Sequence, residues 1–148
     1  VAAEAERMLR DARTRCPDAR IEGILLQRME RGLAEVIVGY RSDQEIGPVV
    51  LLGTGGIAAE LHRKIAVRIA PVTLATAWEM ISELRELEVL RGFRNLPRGD
   101  CDALAAAIRS MSLLASLRPR VREAEINPLI VKPQGQGVVA VDALAVFD

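Results

Sequence analysis

Three side chains with oxygen donors, Glu125, Asn127 and Asp142, lie in a stretch near the end of the sequence that is rich in apolar residues. Its composition predicts the two strands of a hairpin, Val121 to Val131 and Val138 to Phe147. Glu125 and Asn127 are two residues apart, so their side chains share one face of the first strand. Carboxylate and amide oxygens are typical ligands of small, hard cations. The spacing is therefore compatible with a metal-binding hairpin.

The stretch Pro133-Gln134-Gly135-Gln136-Gly137 predicts the turn between these strands. If the turn centres between Gln134 and Gly135, Asn127 lies directly opposite Asp142. The Cβ atoms of such a pair are about 5 Å apart, which suits two ligands that bind one cation at about 2.1 Å. A structural explanation stays open, because an Asn before Pro suits turn geometry and an Asp can cap the edge of a hairpin.

The segment Glu125-Ile126-Asn127-Pro128-Leu129, with an Asp about fifteen residues after Asn127, resembles the magnesium-binding hairpin of ATP-grasp enzymes in the succinyl-CoA synthetase superfamily. Five upstream segments resemble the NDP-forming acyl-CoA synthetases in the same order: Gly23 to Met29, Glu35 to Gly39, Gly47 to Val50, Gly55 to Ile57, and Arg68 to Pro71. The resemblance implies Asn127 and Asp142 as ligands of Mg²⁺, and ATP or ADP as the nucleotide. It also implies the larger lobe of an ATP-grasp module.

The resemblance gives Glu125 a catalytic role, because the Glu of this motif faces the phosphohistidine loop of a partner domain in succinyl-CoA synthetases. A carboxylate there can orient an imidazole and fix its tautomer. The alternative is an exposed strand carboxylate, or an ion-pair partner of Arg122 or Arg120. His62, the single histidine, is expected to be a surface or filler residue, since the family's phosphohistidine lies in another domain.

Two groups of residues are expected to contact nucleotide on the same resemblance. Gln27 and Met29 fall at the hinge between the lobes, where backbone groups read the adenine; an ordinary core strand is the alternative. Glu35 is expected to contact the ribose or water bound to a phosphate, or else to face solvent.

The loop that contains Gly55 and Gly56 could bring backbone N–H groups to a phosphate, although glycine also simply permits positive φ. It lacks the Gly-Lys-Ser/Thr ending of a P-loop. Arg68 interrupts an apolar run, which is unusual without a partner. A phosphate contact and an internal ion pair with Glu60 are both open.

Composition excludes several classes of function. The 148 residues correspond to one domain, half of them are hydrophobic, and the formal net charge is zero. Zero net charge gives no electrostatic footprint for nucleic acid or an anionic membrane, and 3% aromatic residues argue against platforms for base stacking. Two cysteines far apart in sequence indicate reduced thiols in a cytoplasmic protein. The first residues follow a helix pattern without an initiator Met, which suggests the interior of a longer protein.

The predicted fold is α/β (α+β), with a mixed, largely antiparallel sheet and flanking helices. Helices are predicted at residues 1–16, from Thr73 as a cap to about Leu84, and from Asp100 as a cap through the longest helix, Cys101 to Leu117. A turn is predicted at Leu87 to Leu90. Besides the final hairpin, strands are predicted at Ile24 to Met29, Leu33 to Tyr40, Gly47 to Leu52 and Ile65 to Ala70. Glu30-Arg31-Gly32 is predicted as the hairpin turn between the first two strands. Ile57 to His62 is predicted as one helical turn.

The resemblance implies part of an enzyme that interconverts acyl-CoA, ADP and phosphate with carboxylate, CoA and ATP, through an acyl phosphate and a phosphohistidine. CoA-binding and ligase domains, on the same or a partner chain, are the expected partners, and a homo-oligomer is compatible with the sequence. The small lobe's lysine-bearing strand is absent from the sequence, and Gln44 and Lys64 depart from the family pattern. A non-catalytic binding module and an ATP-grasp ligase without CoA are the alternatives.

Overall fold

Six strands form one antiparallel sheet in the computed structural model, which describes residues 2–55, 64–92 and 96–148. The strands are β1 (Ala34–Asp43), β2 (Gly47–Thr54), β3 (Ile65–Ile69), β4 (Val121–Val131), β5 (Val138–Ala140) and β6 (Ala143–Phe147). They follow the order β3-β2-β1-β4-β5, and β6 pairs with β4 beyond β5. The antiparallel α/β architecture predicted from the sequence is confirmed.

Within the described residues, three α-helices accompany the sheet: α1 (Ala2–Arg15), α2 (Leu74–Glu83) and α3 (Cys101–Ser112). Both predicted caps are confirmed, because the Thr73 side chain accepts the N–H of Thr76 and Asp100 accepts the N–H of Ala103. These bonds satisfy amide groups that have no partner inside the first helical turn. A 3₁₀ turn follows α2 at Arg85–Arg91. Another follows α3 at Leu113–Ser116, so α3 is shorter than the predicted Cys101 to Leu117 helix.

The core lies between one face of the sheet and the helices α2 and α3. Strand β1 contributes Val36 and Val38 to it, and both side chains are completely buried because alternate residues of a strand point to the same face. Helix α2 buries Ala77, Met80 and Ile81, at the spacing expected for one helical face. These contacts fix the sheet that carries the predicted site.

The opposite face of the sheet, here called the open face, keeps large apolar side chains in contact with solvent. On β3, Ile65, Val67 and Ile69 are 56%, 40% and 59% exposed, and Leu144 on β6 is 62% exposed. Helix α1, predicted at residues 1–16, buries none of its residues, so it covers no core in the described parts of the chain.

The prediction of a strand from Ile24 to Met29 is wrong, since these residues form no regular secondary structure. Leu25, Leu26 and Met29 are 81%, 76% and 88% exposed. A strand needs a neighbour for its backbone N–H and C=O groups, and no described strand pairs with this segment. Glu30-Arg31-Gly32 is consequently not the turn of a hairpin.

The second strand of the final hairpin is also not continuous, because Val141 and Asp142 separate β5 from β6. On β4, Leu129 pairs with Val36 but Ile126 pairs with Val38, so β4 carries one extra residue at this point. Such a β-bulge interrupts the regular ladder. Pro128, which has no N–H to donate, lies within it.

Gln44, which departs from the family pattern, lies in the turn between β1 and β2. This turn is stabilised by the side chain of Asp43. Its Oδ1 accepts the N–H groups of Glu45 and Ile46 at 2.9 and 3.1 Å. These bonds lower the pKa of Asp43, Ile46 contributing most. The turn is therefore stabilised by an Asx-type contact.

The predicted helical turn Ile57 to His62 lies outside the described residues. Among the described residues, no helix is long and apolar enough to cross a membrane.

Buried Ser112 provides a test of the helix–sheet packing. Its Oγ accepts the N–H of Val72 at 3.0 Å and donates to the carbonyl of Arg109 at 2.6 Å. We expect Ser112→Ala to lower the free energy of unfolding by about 1–3 kcal/mol, because the buried Val72 amide loses its acceptor. Urea denaturation followed by the fluorescence of Trp78 measures this. Ser110→Ala, at an exposed position of α3, is the control, and an equal loss in both variants would contradict the assignment.

Candidate functional site

Glu125 and Asn127 project together from the open face at the bulged part of β4. The Asn127 amide nitrogen, Nδ2, donates a hydrogen bond to Glu125 Oε1 at 3.1 Å. An ionised carboxylate only accepts hydrogen bonds, so it selects the nitrogen of the amide and leaves Asn127 Oδ1 as a free acceptor. Glu125 therefore orients Asn127. The sequence predicted only that these two side chains lie close together on one strand face. No Arg120 or Arg122 bond to Glu125 is formed; Arg120 donates to Ser42 instead.

Asp142 lies opposite Asn127, as the sequence predicted. The backbone N–H of Asn127 donates to the Asp142 carbonyl at 3.0 Å, between the paired residues Leu129–Ala140 and Ile126–Ala143. The Asp142 side chain accepts the N–H of Ala143 through Oδ1 at 2.8 Å, which orients the carboxylate. The prediction that the turn centres between residues 134 and 135 is thus confirmed by the register.

The three predicted side chains line one shallow cavity of about 120 Å³, with Glu123, Ala143 and Leu144 as the other lining residues. Asn127 and Asp142 are exposed and Glu125 is half-buried. Sequence reasoning missed Glu123, although its spacing of two from Glu125 places it on the same strand face.

The chemistry of this cavity fits a hard cation, because its polar donors are carboxylate and amide oxygens. Within the described residues, no group of three His, Cys, Asp or Glu side chains could hold a metal ion. Asn127 and Asp142 would therefore share a cation with water or phosphate oxygens, which is how Mg²⁺ commonly binds beside nucleotides. The residues present fit Mg²⁺ better than a metal that needs a complete cage of protein ligands.

Glu35 and Gly55 meet at the other end of the open face. The Gly55 N–H donates to the Glu35 carbonyl at 2.7 Å, and a Cβ on Gly55 would lie 3.0 Å from that carbonyl carbon and oxygen. Glu35 pairs with Ile130, whereas Gly39, four residues along β1, pairs with Glu125. At about 3.3 Å per residue, Glu35 lies roughly 13 Å along β1 from the row that holds Glu125. Ile37, between these rows, lies opposite the bulge that carries Asn127.

Arg68 does not join this group, because it lies on the helix-covered face. It pairs with buried Val50 on β2, and its guanidinium donates to Glu83 of α2 at 2.8 Å. An internal ion pair is therefore present, with Glu83 as the partner; the predicted partner, Glu60, lies outside the described residues. The helical spacing from Met80, which α2 buries, was a signal that could have suggested Glu83.

Gln27 and Met29 lie in the unpaired segment before β1, away from any described strand partner, so the structure does not bring them to the cavity. Gly56 and His62 lie outside the described residues. The Lys64 ammonium, which the sequence marked as a departure, lies 3.3 Å from Glu86 Oε1. The positive charge at this position is therefore compensated locally.

Comparison with known proteins relates this chain to ADP-forming ligases. It is 39% identical over 132 residues to "Acetate--CoA ligase [ADP-forming] I" of Archaeoglobus fulgidus, covering 89% of this chain and 19% of that protein. It is 37% identical over 136 residues to "Acetate--CoA ligase [ADP-forming] I subunit beta" of Pyrococcus furiosus, covering 92% of this chain and 58% of that subunit. The chain therefore spans less than two thirds of the length of these relatives.

A solved structure of dinucleotide-forming acetyl-coenzyme A synthetase 1 from Ca. Korarchaeum cryptofilum shares the fold with a TM-score of 0.73 and 31% identity. The match covers 81% of this chain and 55% of that one. That protein was solved with coenzyme A and Mg-AMPPCP, and with its phosphohistidine segment pointing towards the nucleotide binding site. A family model described as an ATP-grasp domain matches residues 1–146 of this sequence. The chain belongs to the ATP-grasp domain family.

Proposed function

We propose that this chain is the Mg²⁺- and nucleotide-holding part of an NDP-forming acyl-CoA synthetase. The overall reaction converts carboxylate, CoA and ATP to acyl-CoA, ADP and phosphate, through an acyl phosphate and a phosphohistidine. The observation that carries the proposal is the opposition of Asn127 and Asp142 in a chain of the ATP-grasp family. Relatives named as ADP-forming acetate–CoA ligases support the reaction class.

The chain's own residues have separate roles in this proposal. Glu125 holds the Asn127 amide so that Oδ1 faces the cation, while the Ala143 N–H holds the Asp142 carboxylate. When bound, Mg²⁺ would neutralise charge on the phosphates that approach the cavity. Glu125 has a second carboxylate oxygen, which could accept a hydrogen bond from the imidazole of an incoming phosphohistidine loop.

The open face would hold the nucleotide along its length. Its apolar residues, which include Val67 and Leu144, suit the contact surface of a base and ribose, and Glu35 and Gly55 lie at the end away from the cavity. Because a side chain on Gly55 would collide with the Glu35 backbone, this corner accepts only glycine without movement. Gln27, Met29, Gly56 and Arg68 stay predictions as nucleotide contacts, and the Arg68–Glu83 ion pair argues for a structural role of Arg68.

Phosphate binding requires more positive charge than this lobe supplies at the cavity. We propose that lysines of a small ATP-grasp lobe, together with CoA-binding and ligase domains on the same or a partner chain, complete the enzyme.

Cys16 is exposed and Cys101 is buried, and both are free thiols. This supports the proposal of a cytoplasmic protein.

The metal pair is tested with Asp142→Ala in the full-length protein. We expect phosphoryl transfer to fall by at least ~100-fold, the scale of losing one charge-stabilising group at a reacting phosphate. Asp148→Ala, at an exposed position directly after β6, is the matched control and should retain activity. The measurement is the rate of ATP formation from acyl-CoA, ADP and phosphate. Wild-type turnover of Asp142→Ala would exclude this carboxylate as a ligand.

Nucleotide binding by residues 1–148 alone tests whether a second lobe is needed. We expect a millimolar or weaker Kd for ATP, about −4 kcal/mol, because the phosphates meet too few cationic groups. Isothermal titration calorimetry with Mg-ATP measures this. Micromolar affinity, or ATP hydrolysis dependent on CoA by these residues alone, would contradict the two-lobe proposal.

The role of Glu125 is tested with Glu125→Gln in the full-length protein. We expect nucleotide affinity to be retained while phosphate transfer to the partner histidine slows, since Gln keeps the size but loses the charge that favours a protonated imidazole. Transfer of radiolabelled phosphate to the protein measures the step. Unchanged labelling would leave Glu125 a structural carboxylate, whereas a parallel loss of ATP affinity would assign it to the metal site.

A further inference from the structure

The turn of the metal-binding hairpin is held from outside the hairpin, by the residue that caps helix α3. The Asp100 carboxylate is 8% exposed and accepts three backbone N–H groups. Oδ1 accepts that of Ala103 at 3.1 Å, and Oδ2 accepts those of Gly135 and Gly137 at 2.9 and 2.8 Å. One side chain therefore caps a helix and binds both glycine amides of the turn.

Backbone contacts strengthen this attachment. The Asp100 N–H donates to the Lys132 carbonyl at 2.9 Å, and the Gln134 N–H donates to the Arg98 carbonyl at 2.8 Å. These two bonds pair Gly99 with Pro133 in an antiparallel arrangement. Residues 98–100 therefore form hydrogen bonds with the turn along its whole length.

The glycines make the turn conformation dependent on such support. Gly135 and Gly137 have φ of +81° and +77°, a region that glycine enters readily but from which it also departs readily. A turn of different length or centre would change the pairing of β4 with β5. Since strand side chains alternate between faces, a one-residue slip would move Asp142 to the face opposite Asn127.

We propose that Asp100 is a positioning residue for the metal site, which it serves by fixing the hairpin register that places Asn127 opposite Asp142. The inference rests on the proposed function, because it concerns the ligands of the same Mg²⁺ site. Asp100 itself lies at the far end of the hairpin from the cavity and contacts neither ligand.

The charge of Asp100 suits this role. The N–H groups of Gly137 and Ala103, followed by that of Gly135, hold the pKa of the carboxyl below its ordinary value against the opposing effect of burial. The group is therefore an anion at neutral pH, and hydrogen bonds to an anion are stronger than those between neutral groups.

Asp100→Ser separates the two roles of this side chain. Ser is an effective N-cap and keeps the bond to Ala103, but it is too short to reach the turn as well. Thr73→Ala is the matched control, because it removes the side-chain cap of α2, whose Oγ1 accepts the Thr76 N–H at 3.1 Å, and leaves the hairpin untouched.

Two measurements on the full-length protein test the proposal. In Asp100→Ser, we expect the amides of Asn127 and Val141, which donate across the hairpin to Asp142 and Pro128, to exchange with deuterium faster than in the wild type. We also expect Mn²⁺ affinity at saturating ADP, followed by electron paramagnetic resonance, to fall about tenfold or more, the scale of losing a residue that orients metal ligands. Thr73→Ala should change neither quantity.

Unchanged exchange, unchanged Mn²⁺ affinity, or equal effects in Thr73→Ala would each overturn the proposal. If Asp100→Ser does not fold, Asp100→Asn takes its place, because a single amide oxygen cannot serve the helix and the turn together. A wild-type protein that does not bind Mn²⁺ with ADP would instead refute the proposed function, and the exchange rates would still show whether Asp100 fixes the register.

Discussion

The register of β4 against β5 and β6 is the constraint on which the site depends. Both ligand candidates lie where the regular ladder is interrupted, so the pairs on either side, Leu129–Ala140 and Ile126–Ala143, must hold the strands in place. The bulge also changes which residues of β4 face the core, from Ala124 before it to Leu129 after it. Without the bulge, a strand of this length could not bury both its ends while presenting Asn127 on the open face.

The two faces of the sheet have different tasks. The helix-covered face supplies the hydrophobic stabilisation, through completely buried residues such as Val38 and Leu52. The open face retains apolar surface at Ile65 and Ile69 that folding of the described residues does not bury. Exposed apolar surface bordered by polar residues is typical of a binding site. A nucleotide is such a ligand, because its base and ribose are compact and weakly charged while its phosphates require cations.

The sequence predicted those features that neighbouring residues determine. The caps Thr73 and Asp100, the bounds of β4 and the centre of its turn depend on a few adjacent side chains and backbone angles. The prediction from sequence failed where the structure depends on residues that are far apart in the chain. Segment Ile24 to Met29 has a strand pattern but no described partner, and the face on which Arg68 lies is set by its pairing with β2. The hydrogen bonds between Asp100 and the hairpin turn join residues that are 35 or more positions apart, so they leave no periodic signal in the sequence.

The bond between Asn127 and Glu125 links two roles that the sequence treated as separate. An asparagine amide that is free to rotate would present oxygen or nitrogen to a cation, and only the oxygen binds it. Glu125 removes that choice by accepting a hydrogen bond from Nδ2. In the proposed function, the second oxygen of the same carboxylate accepts from the imidazole of the phosphohistidine loop. The group that orients the metal ligand and the group that would meet the histidine are then one side chain, so the chemistry at the histidine and the chemistry at the metal need not be independent steps.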